Sequence, residues 1–259
     1  MSILATIHSR LETYERERGV RILFAVESGS RAWGFASPDS DYDVRFVYAH
    51  PRDWYLSVFD RDEVIESPSD PIYDLGGWDL RKALRLLGGS NAPLAEWLRS
   101  PIVYREAPGC RDEMRQLANQ MAPKTLAMHH LSLLRNFDRD YLGEAEVRLK
   151  KLFYALRSVL AARWVIERDE IPPVEFAALR QLVADSVWQS QIDRLLPLKC
   201  AHGESFALPA TELPVAWLRD EAARLLEQVP QLPGRKPDAA ALDACLRRWT
   251  CDAKLNEID

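Results

Sequence analysis

A Gly-Ser pair, ten residues, and then two aspartates one residue apart could do chemistry: Gly29-Ser30 followed by Asp41-Tyr42-Asp43-Val44, within GSRAWGFASPDSDYDVRFVY (29–48). On a strand, side chains at i and i+2 leave the same face a few ångströms apart. Two bare carboxylates so placed repel, and one of them has its proton affinity raised. A divalent cation removes the difficulty. Hard oxygen donors at this spacing suit Mg²⁺ (or Mn²⁺), which keeps coordination positions for water and for phosphate oxygens. Asp41 and Asp43 therefore point to phosphoryl-transfer chemistry rather than to a structural metal cage. Gly29 allows the backbone a close approach to a ligand, and Ser30 offers a hydroxyl and an N–H for a terminal phosphate. Arg31 adds a guanidinium fork that matches phosphate oxygens. Each feature alone has a plainer reading, a common turn or a solvated strand edge; their joint occurrence carries the weight.

The flanking pattern supplies elements to position these groups. Residues 3–18 carry Ile3, Ile7, Leu11 and Tyr14 on one helical stripe, ended by Gly19. RILFAVES (21–28) reads as a buried strand that stops at Gly29, followed by a tight turn and a loop. DYDVRFVYA (41–49) alternates with period 2: Val44, Phe46 and Tyr48 point one way, Asp41, Asp43, Arg45 and Val47 the other. A polar stretch leads to a third strand over 71–79. Helices are predicted over 80–87, ended by Gly88-Gly89, and over 91–99. From about residue 123 the pattern is helical almost throughout: a long helix at 146–168 with Leu149, Leu152, Phe153, Leu156, Val159 and Leu160 on one stripe, then helices near 174–196, 213–228 and 238–250. The fold class is α+β. The predicted domains are an α/β unit over 1–110 and a helical unit over 120–259, with the boundary near 108–122.

Composition sets the class. Of the 259 residues, 47% are hydrophobic and 28% charged, as in an ordinary globular protein, and the net charge of −5 argues against unspecific coating of nucleic acid. No basic leader runs into a long apolar stretch at the N-terminus, and no segment is apolar enough to span a bilayer, so no membrane partner is expected. Cys110, Cys200, Cys245 and Cys251 are scattered and read as free thiols of a reducing cytoplasm. Cys200 with His202 is a weak metal signal.

The motif Gly29-Ser30, ten residues, Asp41-x-Asp43 resembles the signature of the DNA polymerase β-like nucleotidyltransferase superfamily, and the fuller wording looks like its RNA-repair-associated, RlaP-type branch. WDLRKALRLLGGSNAPLAEWLRSPIVY (78–104) and RLKKLFYALRSVLAARWVI (148–166) are similar to that branch as well, so the resemblance spans roughly 20–180. It implies an N-terminal nucleotidyltransferase domain, a small mixed sheet with helices, followed by a helical domain that helps to grip the nucleotide. It also implies an NTP substrate, release of pyrophosphate, a hydroxyl acceptor with an RNA 3′ end among the candidates, and a third carboxylate on a neighbouring strand. Asp74 and Asp79 compete for that place. Asp79 immediately precedes the LRKALRLL stripe, where an aspartate serves as N-cap; Asp74 opens the strand with no cap to make and is preferred, with Asp70 a poorer third.

On the long helix, Lys150, Tyr154 and Arg157 project within about 60° of one another; they form either a solvated flank or the nucleotide-gripping ridge that the resemblance implies. Arg45 either neutralises the aspartates, touches phosphate or makes a structural ion pair. Arg81, Lys82 and Arg85 suit an RNA backbone or simply solvent, and Trp33 and Phe35 suit a stacked base or an anchor on the core. His129 and His130, adjacent on a helix, cannot both face one site. The leading expectation is a metal-dependent nucleotidyltransferase acting on RNA, a protein or a small-molecule hydroxyl. A catalytically silent nucleotide-binding module is the rival from another class, and an acidic helical scaffold ranks last.

Overall fold

The computed structural model describes residues 2–141 and 144–250. Its first half runs α1 (Ile3–Arg18), β1 (Arg21–Glu27), α2 (Gly29–Trp33), β2 (Tyr42–Ala49), β3 (Val64–Glu66), β4 (Tyr73–Asp79), α3 (Leu80–Gly88), α4 (Ala92–Arg99), β5 (Val103–Glu106) and α5 (Cys110–Ala118). There follow α6 (Pro123–Tyr141), β6 (Glu146–Arg148), α7 (Leu149–Arg168), α8 (Phe176–Leu179), α9 (Ser186–Ala201), β7 (Ala207–Pro209), α10 (Val215–Gln228) and α11 (Ala239–Trp249). The class is α+β, as the sequence predicts.

Contacts group residues 2–28, 41–120 and 236–250 into one compact unit, and 29–40 with the described part of 121–235 into another. The consecutive stretches 1–110 and 120–259 expected from the sequence are thus interleaved at two places. Phe35 explains the first: it is fully buried, with its ring 5.5 Å from that of Phe153 and 5.8 Å from that of Phe176. For the second, buried Cys245 on α11 and the Trp249 carbonyl, which accepts from Arg21 at 2.9 Å, tie the C-terminal helix to the first unit. Long-range contacts of this kind leave no local signature in a sequence.

The first unit is built on a five-stranded mixed sheet in the order β3-β4-β2-β1-β5. Only β2 and β4 run parallel, with Asp43 opposite Asp74, Arg45 opposite Gly76 and Phe46 opposite Gly77. Helix α1, capped by the Ser2 hydroxyl, lays Ile7 and Leu11 into a core with Val44, Phe46, Tyr48 and Leu75. Apolar residues alternate along β2 on that face, so its other face is left for Asp43 and Arg45. Gly77 is needed where it stands: a Cβ there would lie 2.2 Å from the Phe46 ring, which packs across the glycine. Strands β3 and β5 and helix α5 fall in segments with no strong periodicity, and the sequence reading did not place them.

In the second unit α7 buries the predicted stripe from Leu149 to Leu160, packed against α6 and α10. Three expectations change here. Residues 146–148, read as helix, form β6 and pair with β7; the helix over 174–196 is instead α8, a short 3-10 turn and α9, which Asp185 caps. The turn after β1 is the five-residue helix α2, entered through Gly29 at φ 61°, a left-handed value that glycine adopts without strain. Among the described residues no helix is long and apolar enough to cross a membrane. Cys110, Cys200 and Cys245 are free thiols; Cys251 lies outside the described residues.

Candidate active site

Parallel pairing in register puts Asp43 and Asp74 side by side on the same face of the first unit's sheet. Arg45, two residues along β2, reaches both. Its Nη2 donates to Asp43 Oδ1 at 3.1 Å and to Asp74 Oδ2 at 2.6 Å, while Nη1 donates to the Asp74 carbonyl at 2.9 Å. The side chains of Asp43 and Arg45 are about one-fifth exposed, and that of Asp74 is half exposed. The sequence had left Arg45 among three roles; in the structure it neutralises the carboxylates. Asp41 stands two residues before Asp43, half-buried and just outside β2.

The donor set fits a divalent cation in kind. Two carboxylates converge on a single positive centre, and their hard oxygens are what Mg²⁺ or Mn²⁺ takes. The guanidinium fills that place, so a metal would have to displace it from the shared oxygens. Among the described residues, no group of three His, Cys, Asp or Glu side chains is gathered as metal ligands.

Asp79 performs the capping role weighed for it. Its Oδ1 accepts from the Arg81 N–H at 2.8 Å, opening α3, and Oδ2 accepts from the Tyr55 hydroxyl at 2.7 Å. The group is fully buried at the end of β4 remote in register from Asp74, and burial raises its pKa. Asp70 is likewise occupied in local structure: it pairs with Arg10 at 2.7 Å and accepts from the N–H groups of Ile72 and Tyr73. Its pKa is held down, first by Arg10.

Sequence reasoning missed Glu27, the last residue of β1. Its side chain is fully buried, and Oε1 accepts the Asp43 backbone N–H at 3.0 Å. Oε2 accepts from the Tyr104 hydroxyl on β5, and the Glu27 carbonyl accepts from Ser100 Oγ at 2.6 Å. Ser28 N–H then donates to the Asp43 carbonyl at 2.8 Å. Asp43 is therefore clamped through its backbone by β1. The signal was available: an acidic residue closing an otherwise apolar run, just before Gly29-Ser30.

In the second unit, Ser30 Oγ donates to Ser40 Oγ at 3.2 Å and Arg31 Nη2 to the Ser40 carbonyl at 2.6 Å. Lys150 pairs with Glu204 and lies 5.7 Å from the Tyr154 ring centre; that ring meets Trp33 edge-on at 4.7 Å. Arg157 is only 3% exposed, its guanidinium 4.4 Å from the Trp33 ring and its Nε donating to the Val174 carbonyl at 3.1 Å. Lys150 and Tyr154 stay half-buried at the surface of α7, whereas Arg157, projected onto the same ridge, is turned into the packing.

Residues 3–248 match the family described as RlaP, the RNA repair pathway DNA polymerase beta family. The chain belongs to that family. RlaP thus extends well beyond the span of 20–180 read from the motifs, into the C-terminal stretch that had given no signal. A protein of Bacillus subtilis (strain 168) named "Uncharacterized protein YcgL" is 41% identical over 235 residues, which is 90% of each chain. A crystal structure of a nucleotidyltransferase-like protein from Exiguobacterium sibiricum 255-15 shares 12% identity, covering 96% of this chain and 78% of its own, with a TM-score of 0.33.

Several of the other candidates in this RlaP-family chain take part in local structure. Phe35 is core, the second of the roles weighed for it. Arg81 and Arg85 both pair with Glu63, and Arg81 also lies 5.4 Å from the Trp54 ring. His130 is buried, its ring edge-on to His129. His202 stacks on Phe206 at 4.1 Å and has Nδ1 2.9 Å from the Leu198 carbonyl, so the ring is held by its own helix end and not by Cys200.

Proposed function

We propose that this RlaP-family protein is a divalent-cation-dependent nucleotidyltransferase that moves an NMP from an NTP to a hydroxyl, with an RNA 3′ end as the leading acceptor and pyrophosphate as the leaving group. The observation that carries this reading is the in-register pair Asp43 and Asp74, two carboxylates converging on one positive charge. Asp41, Asp43 and Asp74 are the residues that would hold the cation. When bound, such an ion offsets charge on the phosphates and favours the deprotonated acceptor hydroxyl.

The chain's own groups divide the remaining work. Glu27 holds the Asp43 backbone and so fixes where its carboxylate stands. Asp74, the more exposed of the pair, would take the acceptor's proton. Ser30, Arg31 and Lys150 are suited to phosphate oxygens, with Gly29 setting the course of the chain into them. Tyr154 flanks Lys150, and Arg157 acts from behind by fixing Trp33. The free thiols fit a reducing cytoplasm as the compartment.

A second reading has a specific observation in its favour: Arg45 already satisfies both carboxylates, as in a nucleotide-binding module that does no chemistry. The test is to incubate the protein with Mg²⁺ or Mn²⁺, each labelled NTP and total tRNA, beside an Asp43→Asn/Asp74→Asn variant whose fold is checked by circular dichroism. Label on RNA, lost in the variant, supports transfer to RNA; label on the protein itself moves the acceptor to protein. Binding of NTP with no transfer and no pyrophosphate gives the second reading.

A further inference from the structure

The strongest polar construction outside the carboxylate pair lies in the second unit, where the segment 29–40 meets the turn after α9. Glu204 is its centre. Its Oε1 accepts from Ser40 Oγ at 3.3 Å, and Ser40 Oγ itself accepts from Ser30 Oγ at 3.2 Å and from the Ser37 N–H at 3.0 Å. Its Oε2 receives the Lys150 ammonium. The backbone presenting Glu204 is equally constrained: its N–H donates to both Asp39 carboxylate oxygens at 3.1 Å, and a Cβ on Gly203 would stand 2.8 Å from Asp39 Oδ2. The 37–40 segment is anchored in turn by Lys199, only 2% exposed, whose ammonium donates to the Phe35 carbonyl at 3.2 Å and to Ser37 Oγ.

An ammonium and a chain of hydroxyls converging on one oxyanion is the donor set that a phosphate also requires. The oxyanion here is the protein's own. Ion pairs as exposed as this one, with both side chains more than one-quarter accessible, exchange readily. A carboxylate of charge −1 is a weak competitor for an ammonium against a polyphosphate.

We infer that Glu204 is an internal stand-in for a phosphate, held on Lys150 and Ser40 and displaced by the polyphosphate tail of the nucleotide, so that it sets how tightly that tail binds. The inference rests on the nucleotide reading above and adds to it a residue that weakens binding. Asp39 and Gly203 are then positioning groups that keep the carboxylate in place.

The test is equilibrium binding of inorganic pyrophosphate, and separately of an NTP, by calorimetry at low salt. Glu204→Gln keeps an acceptor for Ser40 and removes the charge. It is expected to bind pyrophosphate about three- to tenfold more tightly than the wild type. Glu204→Asp keeps the charge but withdraws it by one methylene, and should gain less; it also serves if the glutamine variant folds poorly. Adding Lys150→Ala to Glu204→Gln should abolish the gain. Equal or weaker binding by both folded variants while the wild type binds overturns this inference and leaves the nucleotide reading standing, as does a gain that survives Lys150→Ala. Failure of every form to bind either ligand overturns both.

Discussion

Replacing Arg45 with methionine should make the stability of the protein depend on divalent cations. The guanidinium Nη2 touches Asp43 at 3.1 Å and Asp74 at 2.6 Å, so those two oxygens lie within about 6 Å of each other. Two unit charges at ~6 Å repel by roughly 0.7 kcal/mol in water and about 3 kcal/mol at an effective dielectric of ~20. Asp74 is half exposed, which favours the lower half of that range, about 1–2 kcal/mol. Loss of the bonds from Nη1 to the Asp74 and Val44 carbonyls adds about 1 kcal/mol that no metal can restore. Arg45→Met should therefore cost about 2–3 kcal/mol by urea unfolding in EDTA, of which about 1–2 kcal/mol returns in millimolar Mg²⁺ or Mn²⁺ through preferential binding to the folded state. Adding Asp74→Asn should relieve the same part without metal, since it removes one of the repelling charges. If Arg45→Met loses equal stability in EDTA and in metal, and Asp74→Asn brings nothing back, the carboxylates do not form a cation site and Arg45 is only a strand-to-strand tie.

Gly77→Ala should destabilise the first unit by about 2–3 kcal/mol, since its Cβ would stand 2.2 Å from the fully buried Phe46 ring; pairing it with Phe46→Leu should recover more than 1 kcal/mol of coupling, and a loss under about 0.5 kcal/mol for the single variant would contradict the packing. His50 lies flat on Trp54 at 3.9 Å, and burial, with a smaller push from Arg61, lowers its pKa from 6.5 to about 4. The unfolded chain takes up that proton first as pH falls, so stability should decline from about pH 6.5 towards pH 4 by about 1–2 kcal/mol after allowance for solvent screening. His50→Phe keeps the stack and removes the titration; identical pH profiles for the two proteins in urea would refute the assignment.

The candidate site was legible where its logic is local. Gly29-Ser30, the alternation through Asp43 and Val44, and Asp79 at the head of α3 each declare themselves within a few residues. What was hidden depends on partners distant in sequence. Arg45 could be given three roles until β4 brought Asp74 beside it; Arg157 sat on a helical ridge until Trp33 and the Val174 carbonyl drew it inward. Strands β3 and β5 are short and take their stability from neighbours rather than from propensity. Glu27 was missed for a related reason: a carboxylate at the end of a buried strand is legible only as an anomaly until the Asp43 N–H and the Tyr104 hydroxyl supply its partners.

The same physics joins the carboxylate pair to the Glu204 contact. A cation site and a polyanion site each gather charge of one sign, and bare charges in half-buried places raise the free energy of the folded chain. Here each set is neutralised by a residue of the same unit: Asp43 and Asp74 by Arg45, Lys150 by Glu204. In the proposed reaction, ligand binding is then an exchange of counter-ions, with a divalent ion replacing a guanidinium and a polyphosphate replacing a carboxylate. Exchange costs affinity, because the internal partner must be displaced, but it keeps the ligand-free protein stable. On this account Arg45→Met should cost stability in the absence of metal, whereas Glu204→Gln, which loses only an accessible ion pair, should leave stability within about 1 kcal/mol of the wild type and register chiefly in ligand affinity. That asymmetry follows from what each change leaves behind: Arg45→Met leaves two like charges side by side in register, whereas Glu204→Gln leaves a single, partly exposed ammonium.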